Sequence, residues 1–243
     1  WDLIVSDDGS TDASADLVTD FAIKHAPAGH KVTLAQGPKQ GFAANFLSLL
    51  AAAPRDATWL AMSDQDDVWL PTKIQNSLQI LSMKKIPTLV TSPVIIMDTR
   101  KVFPSKVLLT QTSSIFVNPS KGCTQVLNVE LQELIESLGG FSDINFYDWW
   151  VYVVALSFGE VVYLNHPSIE YRIHLSNAIG QPSFKKNVIR SIDRMKETGS
   201  LISPESLTYL FKVLEFSRTR SIQYSGDLCE LSLLLQKRRI MRT

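Results

Sequence analysis

Cysteine is scarce in this chain, and so is histidine. Cys123 and Cys229 lie far apart and form no metal-type pair, so the simplest reading is reduced thiols in a cytosolic protein. Four His, at positions 25, 30, 166 and 174, are too few for a His-rich metal cage. No apolar run approaches the ~18 residues that cross a bilayer, and no basic-then-apolar leader opens the sequence. Net charge is absent too: 24 Lys and Arg balance 24 Asp and Glu. EF-hand spacing is missing, as is the P-loop glycine pattern with its Lys-Ser/Thr, which argues against a Ca²⁺ cage and a Walker-type nucleotide site. There is no internal repeat and no low-complexity segment.

What is present is an ordinary globular composition. The 243 residues are 45% hydrophobic and 20% charged, enough for one large domain or one domain with an appendage. The charge is spread unevenly. Residues 1–180 carry 12 Lys and Arg against 18 Asp and Glu, and residues 181–243 carry 12 against 6. A basic tail fits an anionic partner, a membrane surface or nucleic acid, or simply a solvated helical face.

Residues 2–6 (DLIVS) predict a short buried strand. Asp12 is placed to cap a helix whose Leu17, Phe21 and Ala22 recur at helical spacing to about His25, where Pro27 and Gly29 break it. Residues 31–35 (KVTLA) predict a second strand, 42–53 a helix, 57–63 (ATWLAMS) a third strand and 88–97 (TLVTSPVIIM) a fourth. Before the fourth, Pro71 is placed as a first-turn proline, and Ile74, Leu78 and Leu81 mark a helix face. This alternation predicts an α/β fold with a mostly parallel sheet and helices on both faces. Farther on come short apolar pieces at 107–109, 115–117 and 125–127, helices at 129–138 and 147–158, and a strand at 160–164. Ser203-Pro204-Glu205 starts a helix before 207–216. Further helices are predicted around 184–195 and 228–235, the last ending in Lys237-Arg238-Arg239.

In open parallel sheets, ligands bind outside the carboxyl ends of the strands. Asp7-Asp8 and Asp64/Asp66/Asp67 both fall at such ends, so the pattern predicts that they meet in one crevice. Either cluster alone reads equally as a turn or a helix cap. In SDQDDVW (63–69), three carboxylates within four positions repel one another unless a cation neutralises them. All-oxygen ligands suit Mg²⁺ or Mn²⁺, which keeps waters and completes its shell with substrate phosphates.

SDDGSTD (6–12), GFAANF (41–46), SDQDDVWLPTKI (63–74), GCTQVLN (122–128), YDWWVYVVA (147–155) and YRIHLSNAIG (171–180) follow one another along the chain. In that order they resemble family-2 glycosyltransferases of the GT-A fold, especially a bacterial branch described as rhamnosyltransferase-like. The resemblance covers about residues 1–180. It implies a Rossmann-like GT-A domain there, with the family's first strand and helix missing ahead of Trp1, and a basic helical extension over 181–243. It also implies an inverting, metal-dependent sugar transfer. The donor would be a nucleoside-diphosphate sugar, with rhamnose suggested by the branch. The acceptor would be a hydroxyl of a glycan or lipid-linked molecule in cell-surface polysaccharide synthesis.

Position by position, the resemblance places Asp8, with Asp7 beside it, at the nucleotide base. Asp64 and Asp66 match the metal-and-ribose motif, with Asp66 as the metal ligand, and Asp67 neighbours the donor sugar. Asp148 matches the general base. Arg172 and His174 lie in the segment that closes over the donor diphosphate, where His174 completes the metal shell. Trp149, Trp150 and Gly122 fall on the acceptor side.

Each residue also has a plainer reading. Asp148 can cap a helix, and a helix N-terminus would lower its pKa and weaken it as a base. His174 can be a surface histidine, and Trp149 and Trp150 can be partly packing. Gly122-Cys123 reads as a tight turn rather than a reactive thiol, Lys73 as a solvated helix charge, and Asn45 as loop support. Two other functions compete: a sugar-nucleotide nucleotidyltransferase, and a non-catalytic nucleotide-sugar-binding module. With lipid-linked acceptors, Lys185, Lys186, Arg190, Arg194 and Lys237–Arg239 are expected to hold a cytoplasmic protein against anionic lipid at the inner membrane face; no nucleic-acid partner is expected.

Overall fold

A computed structural model describes residues 1–103, 118–139, 143–174 and 203–220. The apolar pieces expected at 107–109 and 115–117 lie outside these residues, as do the helices around 184–195 and 228–235, Cys229 and the basic residues of the expected lipid contact. The chain divides into two units, Trp1–Ala57 with Gly139–Tyr147, and Thr58–Leu138 with Asp148–Thr243.

In the first unit, β1 (Asp2–Asp7) and β2 (Lys31–Gln36) pair in parallel, from Asp2 opposite Lys31 to Asp7 opposite Gln36. A parallel pair needs a crossover, and α1 (Ser14–His25) supplies it. Asp12 caps from outside the helix: its Oδ1 accepts the Ser14 N–H at 3.0 Å and the Ser14 hydroxyl at 2.6 Å. The apolar face expected of α1 is not buried. The helix has no buried residue, and Leu17 is 68% exposed. By contrast α2 (Phe42–Ala51) buries Ala43, Leu47 and Leu50.

In the second unit, one sheet has the order β3 (Trp59–Ala61), β8 (Val126–Asn128), β5 (Thr88–Thr91) and β9 (Glu160–Tyr163). The other has the order β4 (Val68–Trp69), β10 (Ile169–Tyr171), β6 (Val94–Ile96) and β7 (Val102–Phe103). The single strand expected over 88–97 is therefore two strands in two sheets. Pro93 offers no N–H to a ladder, and beside it the Ser92 and Ser168 hydroxyls pair at 2.6 Å, so the chain changes sheets there. The α/β class holds, but pairing is mixed rather than mostly parallel. The pairs β5–β9 and β6–β10 are parallel, whereas β3–β8, β5–β8, β4–β10 and β6–β7 are antiparallel.

The core of this unit follows from where its apolar runs end up. Leu89, Val90, Val126 and Leu127 are all but fully buried in the sheet. Each such side chain contributes about 1.5–3 kcal/mol relative to exposure. Helix α5 (Tyr147–Phe158) is apolar on every side, the pattern of a helix with no solvent face. Accordingly Trp150, Val151, Tyr152, Val154 and Ala155 have no exposed surface. Helix α6 (Pro204–Arg220) begins where expected: the Ser203 hydroxyl accepts the Ser206 N–H at 3.1 Å, with Pro204 in the first turn. It lays Tyr209 against Trp149 and Trp150, and Phe216 against Phe158. Helix α4 (Val129–Leu138) buries Leu131, Gln132 and Ile135.

Helix α3 (Lys73–Leu81) starts later than Pro71 implied, after Thr72, so the proline precedes the helix. Its fully buried stripe is Lys73, Ser77 and Leu81, one position off the expected Ile74 and Leu78, which are half-buried. Among the described residues no helix is long and apolar enough to cross a membrane.

Candidate active site

The acidic loop follows the end of β3. Two residues of β4 close it, and their antiparallel pairing with β10 sets Ile169 opposite Trp69 and Glu170 opposite Val68. This pairing carries residues 172–174 to the loop from more than 100 positions away. The Arg172 N–H donates to Asp67 Oδ1 at 2.9 Å, and Arg172 Nε donates to the Asp66 carbonyl at 3.0 Å. His174 Nε2 stands 2.7 Å from Asp66 Oδ2. Asp66, Asp67, Arg172 and His174, matched to separate motifs in the sequence, are thus brought together.

Charge is crowded here. Burial, with Asp67, Asp66 and Asp148 nearby, pushes the Asp64 carboxyl up to about 7, while Lys73 pulls it down. Burial also raises Asp67, against the opposing bond from the Arg172 N–H. The Cys123 thiol, buried and hydrogen-bonded to Asp67, is pushed well above its ordinary pKa. It stays protonated, so the 3₁₀ turn Gly122–Thr124 is a structural turn, as expected, and not a nucleophile.

Lys73 departs from its sequence reading. It is 1% exposed, not solvated. Its Nζ donates to the Cys123 carbonyl at 2.6 Å and the Met62 carbonyl at 3.2 Å, and sits 3.7 Å over the Trp69 ring. Burial lowers its pKa to about 7. The ammonium thus ties the end of β3 to the 122–124 turn underneath the acidic loop. The signal in the sequence was the i, i+4, i+8 spacing of Lys73, Ser77 and Leu81, which places the lysine on the buried stripe.

Among the described residues one group of possible metal ligands comes together, and it does not include the expected Asp66 and His174. Asp64, Asp67 and Cys123 each present a ligand atom within 4.8 Å of one another, and Asp67 Oδ2 is buried with no hydrogen-bond partner. The two carboxylates of that group suit Mg²⁺ or Mn²⁺, whereas its protonated thiol does not, and a cation there would oppose the carboxylate repulsion that adds to burial in raising Asp64.

Asp148 lies in the first turn of α5 and is half-buried. Its Oδ1 accepts the Trp149 N–H and its Oδ2 the Asn118 side-chain N–H, both at 2.9 Å. The lowered pKa expected from the helix terminus is overturned. Burial outweighs the Trp149 and Asn118 bonds and the charge of Lys121, and the carboxyl rises to about 6. Trp150 is fully buried against Tyr209, which gives it the packing role, and Gly122 is buried in its turn. Trp149 is half-buried. Asn118, Lys121 and Gln125 were not singled out in the sequence; Gln125 alone had a signal, as part of GCTQVLN.

In the other unit, Asp7 and Asp8 organise backbone. Asp7 Oδ1 accepts the Ser10 N–H at 2.8 Å and the Gly9 N–H at 3.2 Å, and the Ser10 side chain together with these bonds holds its pKa down. Asp8 accepts the Lys39 N–H on Oδ1 at 2.6 Å and the Gly41 N–H on Oδ2 at 3.0 Å. Asn45 supports this loop as expected, accepting the Ser6 hydroxyl at 2.5 Å and donating to the Ser6 carbonyl at 3.2 Å.

Comparison with known proteins agrees with the fold. The chain is similar to the dTDP-rhamnosyl transferase RfbG of Shigella flexneri, at 25% identity over 187 residues covering 73% of this chain and 64% of that one. It therefore spans just under two thirds of that relative's length. It is also similar to two crystal structures of S. aureus TarS. One, of residues 1–349, has a TM-score of 0.53 at 13% identity and covers 88% of this chain and 60% of that one. The other has a TM-score of 0.54 at 12% identity and covers 88% and 37%. At those identities the likeness is one of fold, and the fold is GT-A. The profile of glycosyl transferase family 2 matches residues 1–127, more than half of the chain. By that match this chain belongs to glycosyl transferase family 2.

Proposed function

We propose that this chain carries the catalytic chemistry of an inverting glycosyltransferase. It would move a sugar from a nucleoside-diphosphate sugar to a hydroxyl of a glycan or lipid-linked acceptor in polysaccharide synthesis. The supporting observation is the joining of Asp66, Asp67, Arg172 and His174 by the β4–β10 pairing, with Asp148 close enough to raise Asp64. Likeness to a dTDP-rhamnosyl transferase makes dTDP-rhamnose the first donor to try.

In the reaction, the acceptor oxygen attacks the anomeric carbon from the face opposite the leaving group. The new C–O bond forms as the bond to the diphosphate oxygen breaks, and the nucleoside diphosphate departs with that electron pair. The Asp148 carboxylate takes the acceptor's proton. With a pKa of about 6 it is mostly ionised at neutral pH, yet more basic than an ordinary carboxylate. Arg172 faces the charge that grows on the leaving oxygen. Asp66 and His174 would hold Mg²⁺ or Mn²⁺, which when bound supplies positive charge against the diphosphate. Asp64 and Asp67 would contact the donor's ribose and sugar, and Trp149 the acceptor.

The test is turnover of a nucleotide-sugar panel, beginning with dTDP-rhamnose, by the purified protein with Mn²⁺. Asp148→Asn is expected to reduce transfer by about 10²-fold or more while donor binding persists. Turnover of sugar 1-phosphate with nucleoside triphosphate, and none of any nucleotide-sugar, would replace this reading with the nucleotidyltransferase one.

A further inference from the structure

Asp148 is held by groups that nothing in the proposed reaction requires, and their arrangement is specific. Asn118 Nδ2 donates to Asp148 Oδ2 at 2.9 Å. The other end of the same amide is engaged: Asn118 Oδ1 accepts the Ser120 N–H at 3.0 Å. That second bond fixes which way the amide points, so the end facing Asp148 is the donor. The turn is itself anchored. The Ser120 hydroxyl, on a fully buried residue, donates to Thr91 Oγ1 at 3.0 Å, and Thr91 Oγ1 pairs with Thr124 Oγ1 at 2.7 Å. Gln125, also fully buried, donates from Nε2 to the Ser120 hydroxyl at 2.9 Å and to the Asp148 backbone carbonyl at 2.8 Å. One chain of buried polar groups therefore runs from the end of β5 through the 118–125 segment to the first turn of α5. It grips Asp148 at its backbone and at its side chain.

We propose that Asn118 is a positioning residue for Asp148, backed by Gln125, which fixes the carboxylate's rotamer and favours its ionised form. A donor to a carboxylate stabilises the charged state, and a base locked in one rotamer meets its proton without reorganising. With Oδ1 on the Trp149 N–H and Oδ2 on Asn118, each oxygen keeps a lone pair for an acceptor proton. The charged groups acting on Asp148 besides these bonds are Lys121, which favours its ionised form, and Asp64, which repels it. This inference rests on the reading of Asp148 as the base.

The test is Asn118→Ala, with Asn118→Ser as the second variant, since serine keeps an oxygen for the Ser120 N–H if the alanine variant does not fold. Two readouts are compared. The first is the titration of Asp148 followed by carboxyl ¹³C NMR, assigned with Asp148→Asn, which needs no substrate. The second is the pH profile of donor turnover with dTDP-rhamnose or whichever nucleotide-sugar is turned over. Losing the donor is expected to raise the Asp148 midpoint by about half a pH unit or more. The acidic limb should move the same way, and kcat at neutral pH should fall about tenfold with donor KM nearly unchanged. An unmoved midpoint in a folded variant overturns the proposal. So does a fall in turnover at every pH with no shift of the limb, which marks a merely structural residue. If Asp148→Asn leaves turnover intact, the base reading itself fails and takes this proposal with it, a result separable from the first two.

Discussion

Asp64→Asn is expected to stabilise the metal-free protein, by an amount that grows with pH. Burial and three neighbouring carboxylates raise Asp64 from 3.8 to about 7. A carboxyl raised in the folded state contributes stability that is fully present below its unfolded pKa and is lost as pH rises through the folded one. The window here runs from 3.8 to about 7, and above it the wild type carries the whole cost. A shift of that size corresponds to about 4 kcal/mol. It is an upper limit, because Asp64 keeps some contact with water and Lys73 opposes its neighbours. Half of it, about 2 kcal/mol, would still be a sizeable share of a typical 5–15 kcal/mol stability, and roughly 4–8 °C in Tm for a chain of this size. The assay is thermal unfolding of both proteins in EDTA at pH 5, 6, 7 and 8. The Tm gap should widen to about pH 7 and then level, and Mn²⁺ should raise the wild type more than the variant. A gap that is constant across the series, or an Asn variant less stable at pH 8, would refute the electrostatic argument.

Two substitutions probe the surroundings of the acidic loops. Lys73→Arg would be harmless, within about 0.5 kcal/mol, at a solvated helix position. In its buried seat the larger, permanently charged guanidinium should cost at least about 2 kcal/mol, and an unchanged Tm would show that the seat is open. Gly37→Ala places a Cβ 2.5 Å from Asn45 Oδ1, 2.6 Å from Asp8 Oδ1 and 2.9 Å from Asp8 Cα. It should cost about 1–3 kcal/mol in urea unfolding and displace the Asp8 loop; an unshifted midpoint would contradict the close approach.

Elements with strong local signals were legible. Helix α5 occupies the span expected from the apolar run Trp149–Leu156 ahead of Gly159, and α4 occupies its predicted 129–138. The Ser203-Pro204-Glu205 start of α6 is local chemistry and reads directly. What escaped depends on distant partners. Strand β10 has three residues, too few for a periodicity, and exists because β4 and β6 flank it. Helix α1 kept its helical spacing without a buried face, so periodicity correctly gave the helix but not its surroundings. In the site, residue types carried the information: carboxylates, an arginine and a histidine in order. Asn118 had no such signal, because a lone Asn before Pro119 reads as a turn.

Charge state was the part that local rules misjudged, and the magnitudes show why. A helix N-terminus favours a carboxylate by typically 0.3–1 kcal/mol, roughly. Moving Asp148 from 3.8 to about 6 corresponds to about 3 kcal/mol in the opposite sense. Burial therefore wins at Asp148 by a clear margin, even against two hydrogen bonds and Lys121. The same holds at Lys73, whose position at the start of α3 suggested a solvated charge and whose burial brings its pKa down to about 7. Asp64 and Lys73 thus titrate near the same pH, one raised and one lowered, inside a few residues of the proposed donor site. A site so arranged holds less fixed charge when empty than its formula suggests, and binding a divalent cation would drive the carboxylates to their charged form. Metal affinity should consequently rise with pH between about 5 and 8, with protons released on binding. Calorimetry with Mn²⁺ in buffers of different ionisation enthalpy measures that release directly. Binding without proton release at pH 6 would mean that the carboxylates are already ionised, and the crowding argument would then be wrong.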